Sequence, residues 1–265
     1  PNEKKYGQVK NVVRRPAADV TSAALKWARK LDRDDLFLLW VHYYDPHDPF
    51  DPPEYAKKQV PRAMVADWLA SRRHKIRQTR LGTEALIDYW HGYAAEIRGM
   101  DEEIGRLLEG LGERGLLTDA HVVLVADHGE GLYEHGERGH GVNVYEELMR
   151  VPVIVADPDG AFAGRRLEAP VALMDVFPTV MELALGSPYE HPVSGRSLAP
   201  ALVGEGELDA RPVFLERPHY SVERLRERSG KKTPDRHKWG VMAAVVQDGW
   251  KLIRNGRRPE GWPEY

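Results

Sequence analysis

The chain has 265 residues, 42% hydrophobic and 30% charged, with a net charge of -3; this composition fits a globular chain of one large domain or two small ones. It lacks the basic excess of a nucleic-acid-binding protein, and no apolar stretch approaches the roughly 20 residues that a membrane-spanning helix needs. Zero cysteines exclude disulfides, thiolate metal sites and a cysteine nucleophile within these residues. The chain opens on "PNEKKYG" without Met and stops at "RRPEGWPEY" just after an apparent strand, so it is expected to be part of something longer.

In chain order, "DVTSAALKWARKL" (19–31) predicts a helix with Asp19 as its N-cap. "LFLLWVH" (36–42) is a continuous apolar run of the kind buried on both faces of a sheet. It leads into "YYDPHDPFDPP" (43–53), where four prolines forbid regular structure. Residues 62–80 are basic and helical in pattern. The strongest helix spans 84–111, where Leu86, Trp90, Tyr93, Ile97, Met100, Ile104, Leu107 and Leu111 form one apolar stripe. Its glycines 92, 99 and 105 weaken it by about 1 kcal/mol each, which points to close packing against a neighbour. Trp27, Trp90 and Phe177 are expected in the core.

Two further buried strands are predicted at 121–127 ("HVVLVAD") and 151–157 ("VPVIVAD"). A helix follows at 172–186, with proline near its start and glycine after its end. Three short strands close the chain at 212–216, 241–247 and 250–254, the last two joined by an Asp-Gly hairpin signal. Between them, 221–238 reads as a charged loop. That loop and "SRRHKIR" (71–77) could line an entrance for anionic substrates, but charge runs more often form solvated faces. Helices alternating with buried strands, then short strands, predict an α/β fold with a doubly wound, mostly parallel sheet and a smaller α+β C-terminal part. The expected division is a core over 1–200 and a small antiparallel subdomain over 201–265.

Ligands of open α/β sheets bind at the carboxyl ends of strands, and polar groups crowd at two such ends. One is "HYYDPHDPF" (42–50). The other, "VADHGEGLYEHGERGHG" (125–141), holds five glycines, three histidines and four carboxylates. Asp127 and His128 sit where the strand ends, and Gly129 is expected to let the backbone turn so that both side chains aim at one ion. A carboxylate with a neutral imidazole suits a divalent cation without selecting among calcium, manganese and zinc. An isolated Asp-His pair is more often a cap beside a surface histidine; the clustering at strand ends favours the site.

Four segments together resemble the sulfatase family of the alkaline phosphatase superfamily: "LFLLWVHYYDPHDPF", the helix "YAAEIRGMDEEIGRLLEGL", "VVLVADHGEGLYEHGERGHGVNVYEELMRVPVIV" and "MDVFPTVMELALGSPYEHPVSGRSL". The resemblance covers roughly residues 19 to 255. It implies an alkaline-phosphatase-like fold whose strand ends hold a divalent metal, usually calcium, with manganese, zinc and magnesium as alternatives. Asp127 and His128 match the metal ligands, and His47 matches the histidine that contacts the sulfate and its ester oxygen. His140 occupies the place where many members have a lysine. His42, Glu130 and His135 are expected to support these groups from behind. The implied substrate is a small-molecule or glycan sulfate ester, and the implied location is extracytoplasmic. The resemblance gives no oligomeric state.

The sequence departs from the family at the nucleophile. Sulfatases carry a Cys or Ser in C/S-x-P-x-R, modified to formylglycine, and neither form of the motif occurs in these residues. The formylglycine segment is expected to lie outside them, and the chain alone is expected not to turn over sulfate esters. Two other readings stay open. One is a phosphodiesterase, phosphonate hydrolase or phosphoethanolamine transferase of the same superfamily; the other is a metal-binding scaffold without catalysis.

Overall fold

The computed structural model describes residues 15–71, 82–135, 138–141, 143–217 and 242–255, with the backbone of Gln8–Val9 and Val12–Val13. Those two dipeptides are strands β1 and β2, paired antiparallel. The chain divides into two compact units, Pro1–Ala120 with Gly131–Gly139, and His121–Glu130 with His140–Tyr265.

The first unit is built on helices α1 (Ala17–Ala28), α2 (Glu54–Gln59), α3 (Arg62–Ser71) and α4 (Thr83–Gly112), and the first three all pack against α4. Helix α1 begins two residues earlier than its sequence suggests. Pro16, with φ fixed near -58°, leads the chain into the first turn, and Asp19 lies inside that turn, where its negative charge is favourable at the positive end of the helix dipole. Ala17, Thr21, Ala24 and Ala28 form its buried face. Helix α4 matches its predicted span. Its N-terminal half joins Leu86, Ile87 and Ala95 to Val60, Val65 and Leu69. Its C-terminal half joins Leu107 and Leu111 to Ala24 and Ala28. Three of its glycines are close-contact points: a β-carbon at Gly92 would sit 3.1 Å from the Phe50 side chain, one at Gly99 3.2 Å from Pro53, and one at Gly110 2.7 Å from the Leu25 side chain. Gly105 has nothing within 4 Å and no such reason.

The run 36–42 differs from expectation. Phe37, Leu39 and Val41 pack on the Leu107–Leu111 cluster, but Leu36 is 102% exposed and Trp40 77%. One face is buried and the other is open, and among the described residues the run is in no hydrogen-bonded sheet. Continuous apolarity therefore did not mean burial on both faces. The two-residue strands β4 (Gly131–Leu132) and β5 (Arg138–Gly139) form an antiparallel ribbon in this unit.

In the second unit β3 (Val122–Val125) pairs antiparallel with β6 (Val153–Ala156), with Val123 opposite Val155. The short helix α5 (Glu146–Met149) lies between them in sequence. After one 3-10 turn at Leu173–Asp175 comes α6 (Val176–Leu185), closed by Gly186 in the left-handed conformation, as proline-start and glycine-stop signals predict. Helix α7 (Ala199–Val203) follows. Phe162, Leu198 and Leu202 form one core cluster. Strands β7 (Val213–Arg217), β8 (Met242–Gln247) and β9 (Trp250–Asn255) make the expected antiparallel sheet, order β7-β8-β9. The Asp248-Gly249 turn has both residues at positive φ, 50° and 76°, the geometry of a type I′ hairpin. Trp27 and Phe177, expected in the core, are 37% and 50% exposed; Phe177 finds Tyr189 in an edge-on contact instead. The predicted loop 221–238 and most of 71–77 lie outside the described residues.

Asp175 explains why "MDVFPTV" and "GRSL" belong together. It is fully buried and accepts the backbone N–H groups of Ala172 (2.9 Å) and Arg196 (2.8 Å) and the Arg211 guanidinium. Thr179 donates to the Asp175 carbonyl and accepts from the Leu198 N–H. A β-carbon at Gly195 would lie 1.9 Å from the Met174 carbonyl oxygen. The two segments are one structural knot, held by charge-assisted hydrogen bonds.

Candidate functional site

The second unit carries the Asp127–His128 pair immediately beyond β3. The His128 N–H donates to Asp127 Oδ1 at 2.9 Å, and its ring Nδ1 lies 2.8 Å from the Gly129 carbonyl oxygen. A carbonyl only accepts, so Nδ1 carries a proton, and in the neutral tautomer that this contact selects the lone pair is at Nε2. That Nε2 is 3.7 Å from Asp127 Oδ2. A carboxylate oxygen and an imidazole lone pair at this separation can meet one divalent cation, and a backbone carbonyl behind the imidazole is the usual support of such a ligand. Asp127 is largely exposed and His128 about one third exposed, so the pair is open to solvent. Among the described residues no group of three or more His, Cys, Asp or Glu converges on a point.

Gly129 is needed for a different reason than turning. Its N–H bonds the Leu148 carbonyl at 2.8 Å, and a β-carbon would lie 2.0 Å from the Glu147 carbonyl oxygen. The strand end is pressed onto the start of α5, and only glycine fits. Conformational freedom is used further on: Gly139 and Gly141, with φ of 84° and 75°, bracket His140. The His140 ring lies against that of His128, centroids 4.3 Å apart. Its Nδ1 is 3.1 Å from Glu130 Oε2. Glu130, expected only to support the site, is 6% exposed.

The first unit carries the His47 loop. The peptide bonds Asp45–Pro46 and Asp48–Pro49 are both cis. His47 stacks on Tyr44 with centroids 4.5 Å apart, its N–H bonds the Tyr44 carbonyl, and its Nδ1 is 2.6 Å from the Asp48 carbonyl oxygen. By the same reasoning Nδ1 carries a proton. The loop is tied down from several directions. Tyr43, at its entrance, shares a 2.8 Å hydrogen bond with Thr21 of α1, and burial pushes its phenol above the ordinary value. The buried Glu96 accepts the Asp51 N–H at 2.6 Å. Phe50 packs on Tyr89 and Tyr93. Arg138, on β5, pairs with Asp48 at 2.9 Å and lies over the Tyr89 ring. Partial burial opposes its charge, but Asp48, Tyr89 and Tyr133 together hold the guanidinium above its ordinary value.

Asp127, His128, Glu130 and His140 thus come together, and His47 is held in a built loop of its own unit. His42 and His135 are exposed side chains. Arg138, Tyr44 and Glu96 carry no local sequence signal: Arg138 is 90 residues from Asp48 and Glu96 is 45 from Asp51.

The chain resembles the crystal structure of a phosphonate monoester hydrolase from Agrobacterium radiobacter with a TM-score of 0.71 and 18% identity, over 90% of this chain and 52% of that one. The fold is alkaline-phosphatase-like. Within that class the chain belongs to the sulfatase family, whose profile matches residues 2–187. Among curated relatives, an arylsulfatase of Clostridium perfringens is 27% identical over 64% of this chain and 38% of its own length. An N-acetylglucosamine-6-O-sulfatase of Bacteroides thetaiotaomicron is 32% identical over 58% of this chain and 28% of its own. The chain spans well under half the length of these two relatives. Sulfatases generally use a divalent metal and a formylglycine. No helix among the described residues is long and apolar enough to cross a membrane.

Proposed function

We propose that the protein hydrolyses sulfate esters, and that Asp127 and His128 bind a divalent cation, calcium in the first instance, for that reaction. The observation that carries this reading is the 3.7 Å approach of Asp127 Oδ2 to His128 Nε2, with the other ring nitrogen tied to the Gly129 carbonyl. When bound, the cation supplies electrostatic stabilisation of charge on the ester oxygens. The chain's own residues do the rest of what is assigned here. His47, with the proton on Nδ1 committed to the Asp48 carbonyl, holds the anion through Nε2–H and can pass that proton to the ester oxygen when the ring is doubly protonated. His140, taking the place where many members of the family have a lysine, serves the departing oxygen by donating from Nε2 when its ring is doubly protonated. The nucleophile is outside this assignment, since the 265 residues include no cysteine and no S-x-P-x-R. A sulfated sugar is the substrate class supported by the N-acetylglucosamine-6-O-sulfatase relative.

A second reading, phosphonate monoester hydrolysis, is favoured by the likeness to a hydrolase of that class. Purified full-length protein, given p-nitrophenyl sulfate and p-nitrophenyl phenylphosphonate in parallel, separates them. Metal-dependent sulfate release that Asp127→Asn abolishes is the expected result. Faster turnover of the phosphonate would move the assignment to the second reading, and turnover of neither would leave a scaffold without catalysis.

A further inference from the structure

Glu130 is held in a way that a loop carboxylate is not. In the β4–β5 ribbon, Gly131 stands opposite Gly139, so Glu130 and His140 are the next positions in the same register and face each other across the ribbon's open end. The left-handed backbone at Gly139 and Gly141 orients His140 within that frame. The Glu130 side chain is 4% exposed against 23% for His140, and Oε2 lies 3.1 Å from His140 Nδ1. The second carboxylate oxygen, Oε1, is buried with no hydrogen-bond partner among the described residues. An unsatisfied buried carboxylate oxygen is costly and calls for an explanation.

We propose that Glu130 is a positioning residue for His140: its carboxylate accepts a hydrogen bond from Nδ1–H, fixes that tautomer, and so makes Nε2 the ring nitrogen through which a proton is exchanged on the ester side. Water favours the opposite neutral tautomer, with the proton on Nε2, so the pairing inverts the intrinsic preference. The contact also sets the ring plane, as carboxylates do for the histidines of metal sites. A histidine in the usual lysine position thereby gains one defined reacting atom in place of an ammonium that points by itself. His128 and His47 are each fixed through Nδ1 to a backbone carbonyl, and Glu130 does with a side chain for His140 what those carbonyls do for the other two.

The role of Nε2 rests on the sulfate-ester reading, but the tautomer does not, and the test keeps the two apart. In protein labelled with 15N-histidine, at a pH where the imidazoles are neutral, long-range proton–nitrogen spectra report which nitrogen of each ring holds the proton. His140→Gln assigns the signals. The expected result is Nδ1–H for His140 in the unaltered protein, a shift toward Nε2–H in Glu130→Ala, and retention of most Nδ1–H in Glu130→Gln, whose amide oxygen still accepts. An Nε2–H tautomer in the unaltered protein overturns the proposal without any variant being needed; so does a spectrum indifferent to Glu130→Ala. In full-length protein, Glu130→Ala is expected to lower kcat for sulfate release about 10- to 100-fold, with KM moved less and Glu130→Gln recovering part of the loss. Absence of turnover by the unaltered full-length protein would count against the function and leave the tautomer result standing.

Discussion

The two units present their histidines by different means. His47 sits in a proline loop that is fastened by residues far away in sequence: Thr21 at Tyr43, Glu96 at Asp51, Arg138 at Asp48, and Tyr89 and Tyr93 around Phe50. Asp127 and His128 sit at a strand end whose support is nearby. The pair bonds to itself and to Gly129, and Gly129 is pressed onto the start of α5 about 20 residues later. A loop that lacks regular structure needs long-range contacts to offset its conformational entropy, whereas a strand end inherits its position from the ladder behind it. Remote substitutions should therefore disturb the first region and backbone-level ones the second.

The sharpest way to break this contrast is Gly129→Ala. Because the added methyl would meet the Glu147 carbonyl backbone, destabilisation of at least about 3 kcal/mol is expected in denaturant unfolding. Lost amide protection should centre on β3 and α5 and spare the 45–53 loop. Protection lost in the loop instead would make the two regions equally dependent on each other's chain geometry. Glu96→Ala is the counterpart in the first unit. It removes a buried acceptor of a 2.6 Å bond and should cost about 2 kcal/mol, opening residues 45–53 to limited proteolysis while β3 stays protected.

Arg138 and Asp48 sharpen the comparison further. The pair is partly exposed, with Arg138 at 50% and Asp48 at 24%, so a double-mutant cycle with Arg138→Ala and Asp48→Ala should give a coupling of only about 0.5 kcal/mol. Its value lies in aiming the His47 loop, and turnover by the full-length protein should fall far more than stability does. A coupling large enough to unfold the loop would make the pair structural. The smallest effect is expected at Asp157, just beyond β6. Burial raises its carboxyl, but the N–H groups of Phe162 and Ala161 more than offset this and hold it below the ordinary value. A group depressed on folding adds stability above its unfolded pKa and loses it as pH falls through the folded one. Asp157→Asn should therefore lower Tm slightly at neutral pH and converge with the unaltered protein in acid. A difference that persisted in acid would contradict the hydrogen-bond account.

Periodicity and punctuation made much of the fold legible. Helix α4 declares itself by a 3.6-residue stripe, β8–β9 by Asp-Gly, and α6 by its proline and its glycine stop. The run 36–42 misled because apolarity alone does not say how many faces a strand covers. Leu36 and Trp40 read the same as Phe37 and Leu39 until packing separates them. The sequence suggests a turn at Gly129, whereas its close approach to Glu147 is a property of two segments and leaves no mark on either. The same holds for Asp48 with Arg138 and for Asp175 with Arg196 and Arg211. Glu130 was legible as a member of the cluster; its hold on His140 became visible only once the ribbon register put the two opposite each other.

The most direct test of the central claim is isothermal titration calorimetry of the full-length protein with calcium, manganese and zinc, repeated with Asp127→Ala and with circular dichroism as the control for folding. The account predicts one divalent ion per chain, and a loss of affinity of at least 10-fold in the variant. Unchanged affinity in a folded, metal-binding variant would contradict the assignment of Asp127.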